Sequence, residues 1–205
     1  MEKSSLILKY FKKKDLLTVK NREYQQTIST LFEWLIQNDK IENDKSTKYL
    51  PDEDAKAIII AKQTGVISGL EEVVYLLEKY TKLIFISKTK DGTRINKKEI
   101  IAEITGKSHE ILAYERTILN ILQRMSGIAT ETNRMINVIN HQPPTTNHQL
   151  YVASTRKTPW MSLDKKAVAV GGGLTHRLSL SDGILVKDNH LTFISIEAVL
   201  KLLMN

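Results

Sequence analysis

A chain of 205 residues, 41% apolar and 26% charged, has the balance of one large or two small globular domains and excludes a disordered chain. No aliphatic run approaches the ~18 residues of a bilayer span, and Phe11-Lys12-Lys13-Lys14 interrupts any signal-peptide core, so neither membrane segment nor leader is expected. The absence of cysteine excludes disulfides, thiolate zinc sites and cysteine nucleophiles and fits a cytoplasmic setting, while a net charge of +7 calls for an anionic partner whose nature total charge cannot decide.

Residues 1–28 are polar and Lys-rich and are expected to form a weakly packed helix or appendage. Leu31, Phe32, Leu35 and Ile36 recur at helical spacing, which predicts an amphipathic helix over 28–37. A polar linker over 38–46 and a turn at Pro51-Asp52 follow. The Ile-rich run 55–62 suits a buried strand, and Gly65 and Gly69 bracket a turn and short strand at Val66-Ile67-Ser68. Residues 71–81 place Val74, Leu77 and Tyr80 on one helical face. Strands are expected at 83–87 and 100–105, the second ended by Gly106, with a tight turn at Asp91-Gly92. The unit reads as α+β, a sheet with helices on one face.

Ser108 is placed to cap a helix, with Glu110 favourable in its first turn. Ile111, Ile118, Leu122, Met125 and Ala129 form a stripe that continues to Ile136 and Ile139, a helix of about 30 residues with a kink expected at Gly127 and a stop at Pro143-Pro144. Strands are expected at 150–154 and 183–186. Residues 162–170 fit helical spacing and strand alternation equally, and 194–203 reads as a further helix.

Three segments carry chemistry. Thr155-Arg156-Lys157-Thr158 follows the strand ending at Ser154, and Lys187-Asp188-Asn189-His190 follows the strand ending at Val186. Between them lies Gly171-Gly172-Gly173-Leu174-Thr175-His176-Arg177. Cations delivered by strand C-termini would converge on one face of an α/β sheet or barrel. An Arg fork matches carboxylate or phosphate, and several cations together imply a small polyanion such as a dicarboxylate or sugar phosphate. The triple glycine is either a plain flexible loop or a place where backbone N–H groups approach a phosphate. It fits neither the Walker nor the dinucleotide spacing. No carboxylate pair or metal-ligand spacing stands out, and no nucleic-acid motif accompanies the basic balance.

Glu115-Arg116-Thr117, Leu119-Asn120, Leu122-Gln123-Arg124 and Ser126-Gly127-Ile128-Ala129-Thr130 resemble the helix signature of the quinolinate phosphoribosyltransferases. Thr155-Arg156-Lys157-Thr158, the glycine run with His176-Arg177, and Lys187-Asp188-Asn189-His190 are similar to that family's other motifs in order and spacing, over residues 55–192. The resemblance implies an N-terminal α/β sandwich domain followed by an incomplete α/β barrel: a polar extension over 1–28, the sandwich over 29–114, and the long helix with the first part of the barrel over 115–205. It implies transfer of phosphoribose from phosphoribosyl pyrophosphate to quinolinate with loss of CO2, giving nicotinate mononucleotide for NAD synthesis, with Mg²⁺. The matching positions for quinolinate are Thr155, Arg156, Lys157, His176, Arg177 and Lys187, with Lys157 and Lys187 as catalytic cations. Arg116 matches an arginine that the family delivers across a homodimer interface, and neither nucleic acid nor membrane is an expected partner.

The sequence departs from the family in two places. Relative to the family barrel it stops early, leaving no assignable metal ligands, and at the N-terminus Asn43-Asp44-Lys45-Ser46-Thr47 only loosely echoes the family's Asp-x-Thr-Thr turn. Two other readings follow: a paralogue with another substrate, or a non-catalytic partner of a longer subunit.

Overall fold

The computed structural model describes residues 3–141 and 150–204. Helix α1 (Lys3–Phe11) leads through a short 3-10 turn at Lys14–Leu16 into α2 (Arg22–Asp39). Then come β1 (Asp54–Ile60), β2 (Gly65–Val66), α3 (Leu70–Tyr80), β3 (Ile84–Ser87), β4 (Arg94–Ile95) and β5 (Ile100–Lys107). Helices α4 (Ser108–His141), α5 (Met161–Val170), α6 (Asp188–Leu191) and α7 (Ile196–Met204) complete the described chain.

The strands form a three-stranded antiparallel sheet in the order β1-β5-β3, with β2 and β4 paired separately. Register runs from Asp54↔Lys107 to Ile59↔Ala102 between β1 and β5, with a shift after Ile59. Burial alternates along β1, so one sheet face meets the helices while Ile58, Ile60, Ile84 and Ile86 stay exposed on the other. Against the covered face, Ile28 and Phe32 of α2, Val73, Leu76 and Leu77 of α3 and Ile118, Ile121, Leu122 and Met125 of α4 join Leu163 and Ala167 of α5 in one core cluster. The helices-on-one-face arrangement expected from sequence is therefore present.

Several expectations are corrected. The weakly packed stretch expected over 1–28 holds only for α1, which leaves Leu6, Leu8 and Tyr10 exposed; from Leu17 on the chain is packed, since Leu17, Tyr24 and Ile28 are core residues and α2 begins at Arg22, where Asn21 caps the Tyr24 N–H. Of the face expected on α3, Leu77 is buried, together with Leu70, Val73 and Leu76, while Val74 and Tyr80 are only half-buried. Gly106 does not end β5, which runs on to Lys107 and passes directly into α4. The Ser108 hydroxyl is spent on the distant segment just before β1, donating to Pro51 O at 2.8 Å and accepting the Glu53 N–H at 3.2 Å. Helix α4 has 34 residues and continues through Gly127. The expected stop at Pro143-Pro144 lies outside the described residues.

The two expected strands after α4 are not strands here. Over 150–154 there is a single parallel bridge, Ala153 with Leu174. Residues 183–186 carry no ladder among the described residues, because no strand lies beside them to complete one. The ambiguous segment 162–170 is helical, as α5. The apolar side of α7, Ile196, Leu200 and Leu203, is exposed.

Candidate active site

Past its exposed first residue Met161, helix α5 is largely buried, with Asp164, Lys165 and Lys166 inside together with Leu163 and Ala167. Each charged side chain is held differently. Asp164 accepts a bidentate pair from Arg124 of α4, Nε at 2.8 Å and Nη2 at 2.7 Å, and also accepts the Thr158 hydroxyl. The Arg124 guanidinium lies over the Trp160 ring, 5.0 Å from its centroid. This clamp fixes the end of the Thr155–Thr158 turn against two helices. Lys166 donates to Glu71 and to Leu17 O at 2.6 Å and lies 3.6 Å from Glu72. Lys165 donates to Ser154 Oγ at 3.0 Å and to Thr175 O at 2.8 Å.

The Ala153–Leu174 bridge brings two of the motif segments side by side. Ser154 N–H donates to Leu174 O at 2.9 Å and Leu174 N–H to Val152 O at 2.8 Å. Beyond it, Thr155-Arg156-Lys157 and Thr175-His176-Arg177 leave in parallel. The Lys157 N–H donates to Thr155 Oγ1 at 3.0 Å, which closes the first turn, and Arg156 and Lys157 are exposed. Arg177 is buried, with Nη1 donating to Gly183 O at 2.9 Å and its Nε left without a partner. Burial first, then the charges of Arg156 and Arg177, depress the Lys165 ammonium to about 8. Arg156, Lys165, His176 and Arg177 therefore act on one another electrostatically, with Asp182 as the nearby carboxylate.

Lys187 is exposed after the unpaired stretch 183–186, its N–H donating to His190 Nδ1 at 3.1 Å. Among the described residues no bond ties its ammonium, or that of Lys157, to the Arg156–Arg177 group. Arg116 is elsewhere, exposed on α4 in a surface cavity of about 720 Å³ with Asp39, Lys40, Glu115 and Asn120. It does not reach the other residues expected at the site within this chain.

The triple glycine is not a phosphate cradle. All three amides donate within the chain, Gly171 to Ala167 O, Gly172 to Ala169 O and Gly173 to Val168 O. What the run requires is space: a Cβ on Gly171 would lie 2.4 Å from Ala129 O, and one on Gly173 2.7 Å from Val168 Cγ1. Glycine here lets the end of α5 close on α4.

The N-terminal segment, to which the sequence argument gives no part in the site, covers it. The Phe11 ring stacks on the His176 imidazole, centroids 4.7 Å apart and 3° from parallel. Phe11 O accepts the Thr175 N–H at 2.9 Å and hydroxyl at 2.7 Å, the Lys13 N–H donates to Thr175 Oγ1 at 3.0 Å, and the Lys13 ammonium pairs with Asp182. Burial, then Lys165 and Arg177, lower the His176 pKa, so the ring is neutral at pH 7. Burial raises the Asp182 pKa, but the bonds from Lys13 and the Leu178 N–H outweigh it and hold the group ionised. Phe11 sits in a lysine run that reads as solvated, and Lys165 falls between apolar residues of a segment readable as helix or strand. Neither carries a local signal of burial at a site.

Among the described residues no three His, Asp or Glu side chains gather as a metal site, so the residues present do not themselves form a cage for Mg²⁺. No described helix is long and apolar enough to cross a membrane.

Models of the N-terminal and C-terminal domains of quinolinate phosphoribosyl transferase match residues 44–126 and 128–204. The chain belongs to the quinolinate phosphoribosyltransferase family. It is 40% identical over 144 residues to a probable carboxylating nicotinate-nucleotide pyrophosphorylase of Archaeoglobus fulgidus, covering 69% of this chain and 54% of the relative. It is 37% identical over 145 residues to a decarboxylating quinolinate phosphoribosyltransferase of Nicotiana tabacum, covering 69% of this chain and 39% of the relative. Among solved structures, the nicotinate-nucleotide pyrophosphorylase of Francisella tularensis superposes with a TM-score of 0.75 at 27% identity, over 87% of this chain and 63% of that one. The Ehrlichia chaffeensis pyrophosphorylase gives 0.67 at 31% identity, over 84% and 64%. The fold is thus the family's α/β fold in partial form, and the chain spans about half the length of the curated relatives it matches.

Proposed function

We propose that this chain carries the quinolinate-binding part of a phosphoribosyltransferase that joins quinolinate to phosphoribosyl pyrophosphate, releasing pyrophosphate and CO2 and leaving nicotinate mononucleotide. The observation that carries this reading is the group Arg156, Lys165, His176 and Arg177, cations and a neutral imidazole held together with a single nearby carboxylate that is already engaged by Lys13. Such a group is repulsive alone and is complemented by a compact dianion. The two carboxylates of quinolinate supply that charge, and Arg156 and Arg177 offer planar forks to them.

In this reading the protein positions rather than attacks. The pyridine nitrogen displaces pyrophosphate at the ribose anomeric carbon, and the cations hold the carboxylates so that the nitrogen faces that carbon. The N-ribosylated ring is then a pyridinium, which accepts the electron pair left as the adjacent carboxylate departs as CO2; the ring carbon finally takes a proton. Thr155 closes the turn that presents Arg156. Lys157 and Lys187 are the proposed catalytic cations, next to the pyrophosphate and the departing carboxylate. Mg²⁺ is expected to come with the phosphates of the co-substrate, since it binds substrate phosphates while keeping water ligands. No step here runs through it. Arg116 is proposed to complete the site of a second subunit in a homodimer.

The test is turnover. The chain with quinolinate, phosphoribosyl pyrophosphate and Mg²⁺ should release pyrophosphate and CO2 in equal amounts, and Arg156→Ala should abolish both. Mixing inactive Arg116→Ala and Arg177→Ala chains should restore part of the activity if sites are shared. No turnover, or turnover insensitive to Arg156→Ala, would contradict the reading, and no rescue at any ratio would contradict the sharing.

A further inference from the structure

We infer that Lys165 is a positioning residue of this site, its buried ammonium joining the Ser154 and Thr175 turns so that Arg156, His176 and Arg177 face one bound dianion. The inference rests on the quinolinate reading above and deepens it.

Lys165 is 2% exposed, and its Nζ donates to Ser154 Oγ at 3.0 Å and to Thr175 O at 2.8 Å. The Ser154 hydroxyl donates to that same carbonyl at 2.6 Å, closing a three-membered knot. The two residues that Lys165 joins stand just before site residues: Ser154 before Thr155-Arg156, Thr175 before His176-Arg177. One ammonium therefore sets where both segments enter the site. Two of its three N–H donors are spent, and no further bond uses the third among the described residues.

The charges around Lys165 point the same way. Arg156 and Arg177 are like charges, His176 is neutral at pH 7, and Asp182, the carboxylate in range, is held by Lys13 of the segment after α1. Among the described residues no ion pair involves Lys165. The next residue of α5 shows the contrast, since Lys166 is paired with Glu71 and lies beside Glu72. A buried cation beside two guanidiniums is costly until an anion offsets it. The dianion that would do so is the ligand the neighbouring forks already select. Its arrival also reverses the like-charge effect on Lys165 and draws a proton onto the ammonium.

The test is calorimetric titration with quinolinate at about pH 8.5, in two buffers of different ionisation heat. At that pH free Lys165 is largely neutral and the imidazole of His176 is uncharged. The wild-type chain should take up roughly 0.3–0.7 proton per quinolinate bound. Binding without proton uptake would overturn the role of Lys165 and leave the quinolinate reading standing. Lys165→Met should bind about 10-fold more weakly near neutral pH and show no uptake, which a purely structural lysine would not predict. A Lys165→Met chain that binds as tightly as wild type, or keeps the uptake, would overturn the inference, and if that variant does not fold the wild-type uptake still decides. No quinolinate heat from the wild-type chain in any buffer would overturn the quinolinate reading, and this inference with it.

Discussion

The Phe11 ring lies flat on the imidazole of His176, 165 positions further along the chain, 4.7 Å between centroids, and hydrogen bonds from Thr175 to Phe11 O tether the two segments. This contact joins the N-terminal segment to the candidate site and covers one face of its only neutral ring system among the site residues.

Phe11→Ala should therefore return the His176 pKa upward toward the ordinary histidine value of about 6.5, because burial is the first cause of its depression. A depressed histidine favours the neutral folded form, so this contact stabilises the fold above the ordinary value and loses its contribution as pH falls through it. An NMR titration of the His176 ring protons in both chains checks the shift. Identical titration curves would mean that Phe11 does not cover the ring in solution.

The clamp of Arg124 on Asp164 and Thr158 is half-exposed at the arginine and nearly covered at the aspartate. Arg124→Met should cost about 1–3 kcal/mol, discounted for solvent at the guanidinium end, and should loosen the Thr155–Thr158 turn. Chemical denaturation gives the first effect, and amide hydrogen exchange at 155–158 the second. Unchanged exchange would show that the clamp does not position Arg156.

Glycine substitutions should have opposite signs at two neighbouring places. Gly171→Ala must push Cβ toward the Ala129 carbonyl, 2.4 Å away, and should cost about 1–3 kcal/mol. Gly127→Ala lies within α4 with nothing inside 4 Å and should stabilise by about 0.5–1 kcal/mol. Equal effects in thermal melts would remove the close approach of α5 to α4 as the reason for the glycine run.

Glu72 is fully buried, donated to by Tyr24 Oη at 2.7 Å, with Lys166 on one side and Asp91 within electrostatic range. Burial raises its pKa to about 7, against the pull of Lys166. The folded chain then binds a proton that the unfolded chain releases near pH 4.5, so its stability falls as pH rises from there through 7. Glu72→Gln, which imitates the protonated form, should gain in Tm over wild type across that interval. A constant difference between the two chains would place Glu72 in its ionised form throughout.

Sequence alone was most legible where one periodicity dominated. The stripe from Ile111 to Ala129 predicted α4, which buries one face against the core, and the Ile-rich run predicted the strand β1, though not its burial, since Ile58 and Ile60 stay exposed on the open face of the sheet. It was least legible where burial is decided by distant partners. Leu17 and Tyr24 sit in a polar, lysine-rich stretch and become core only because α3 and α5 lie over them. Lys165 and Lys166 look alike in the chain, yet one meets two glutamates and the other two arginines. Residues 150–154 and 183–186 read as strands by composition, but a ladder needs a neighbour, which neither has beyond the Ala153–Leu174 bridge. The candidate residues Arg156, His176 and Arg177 were picked out by motif order; their juxtaposition with Lys165 and Phe11 was not.

The central claim is that this group of residues is a dianion site for quinolinate. Calorimetric titration of the folded chain with quinolinate, without phosphoribosyl pyrophosphate, tests it most directly. Binding in the micromolar range that is lost in Arg156→Ala is the predicted result. Absence of binding by a chain shown to be folded, or affinity unchanged by Arg156→Ala, would contradict it.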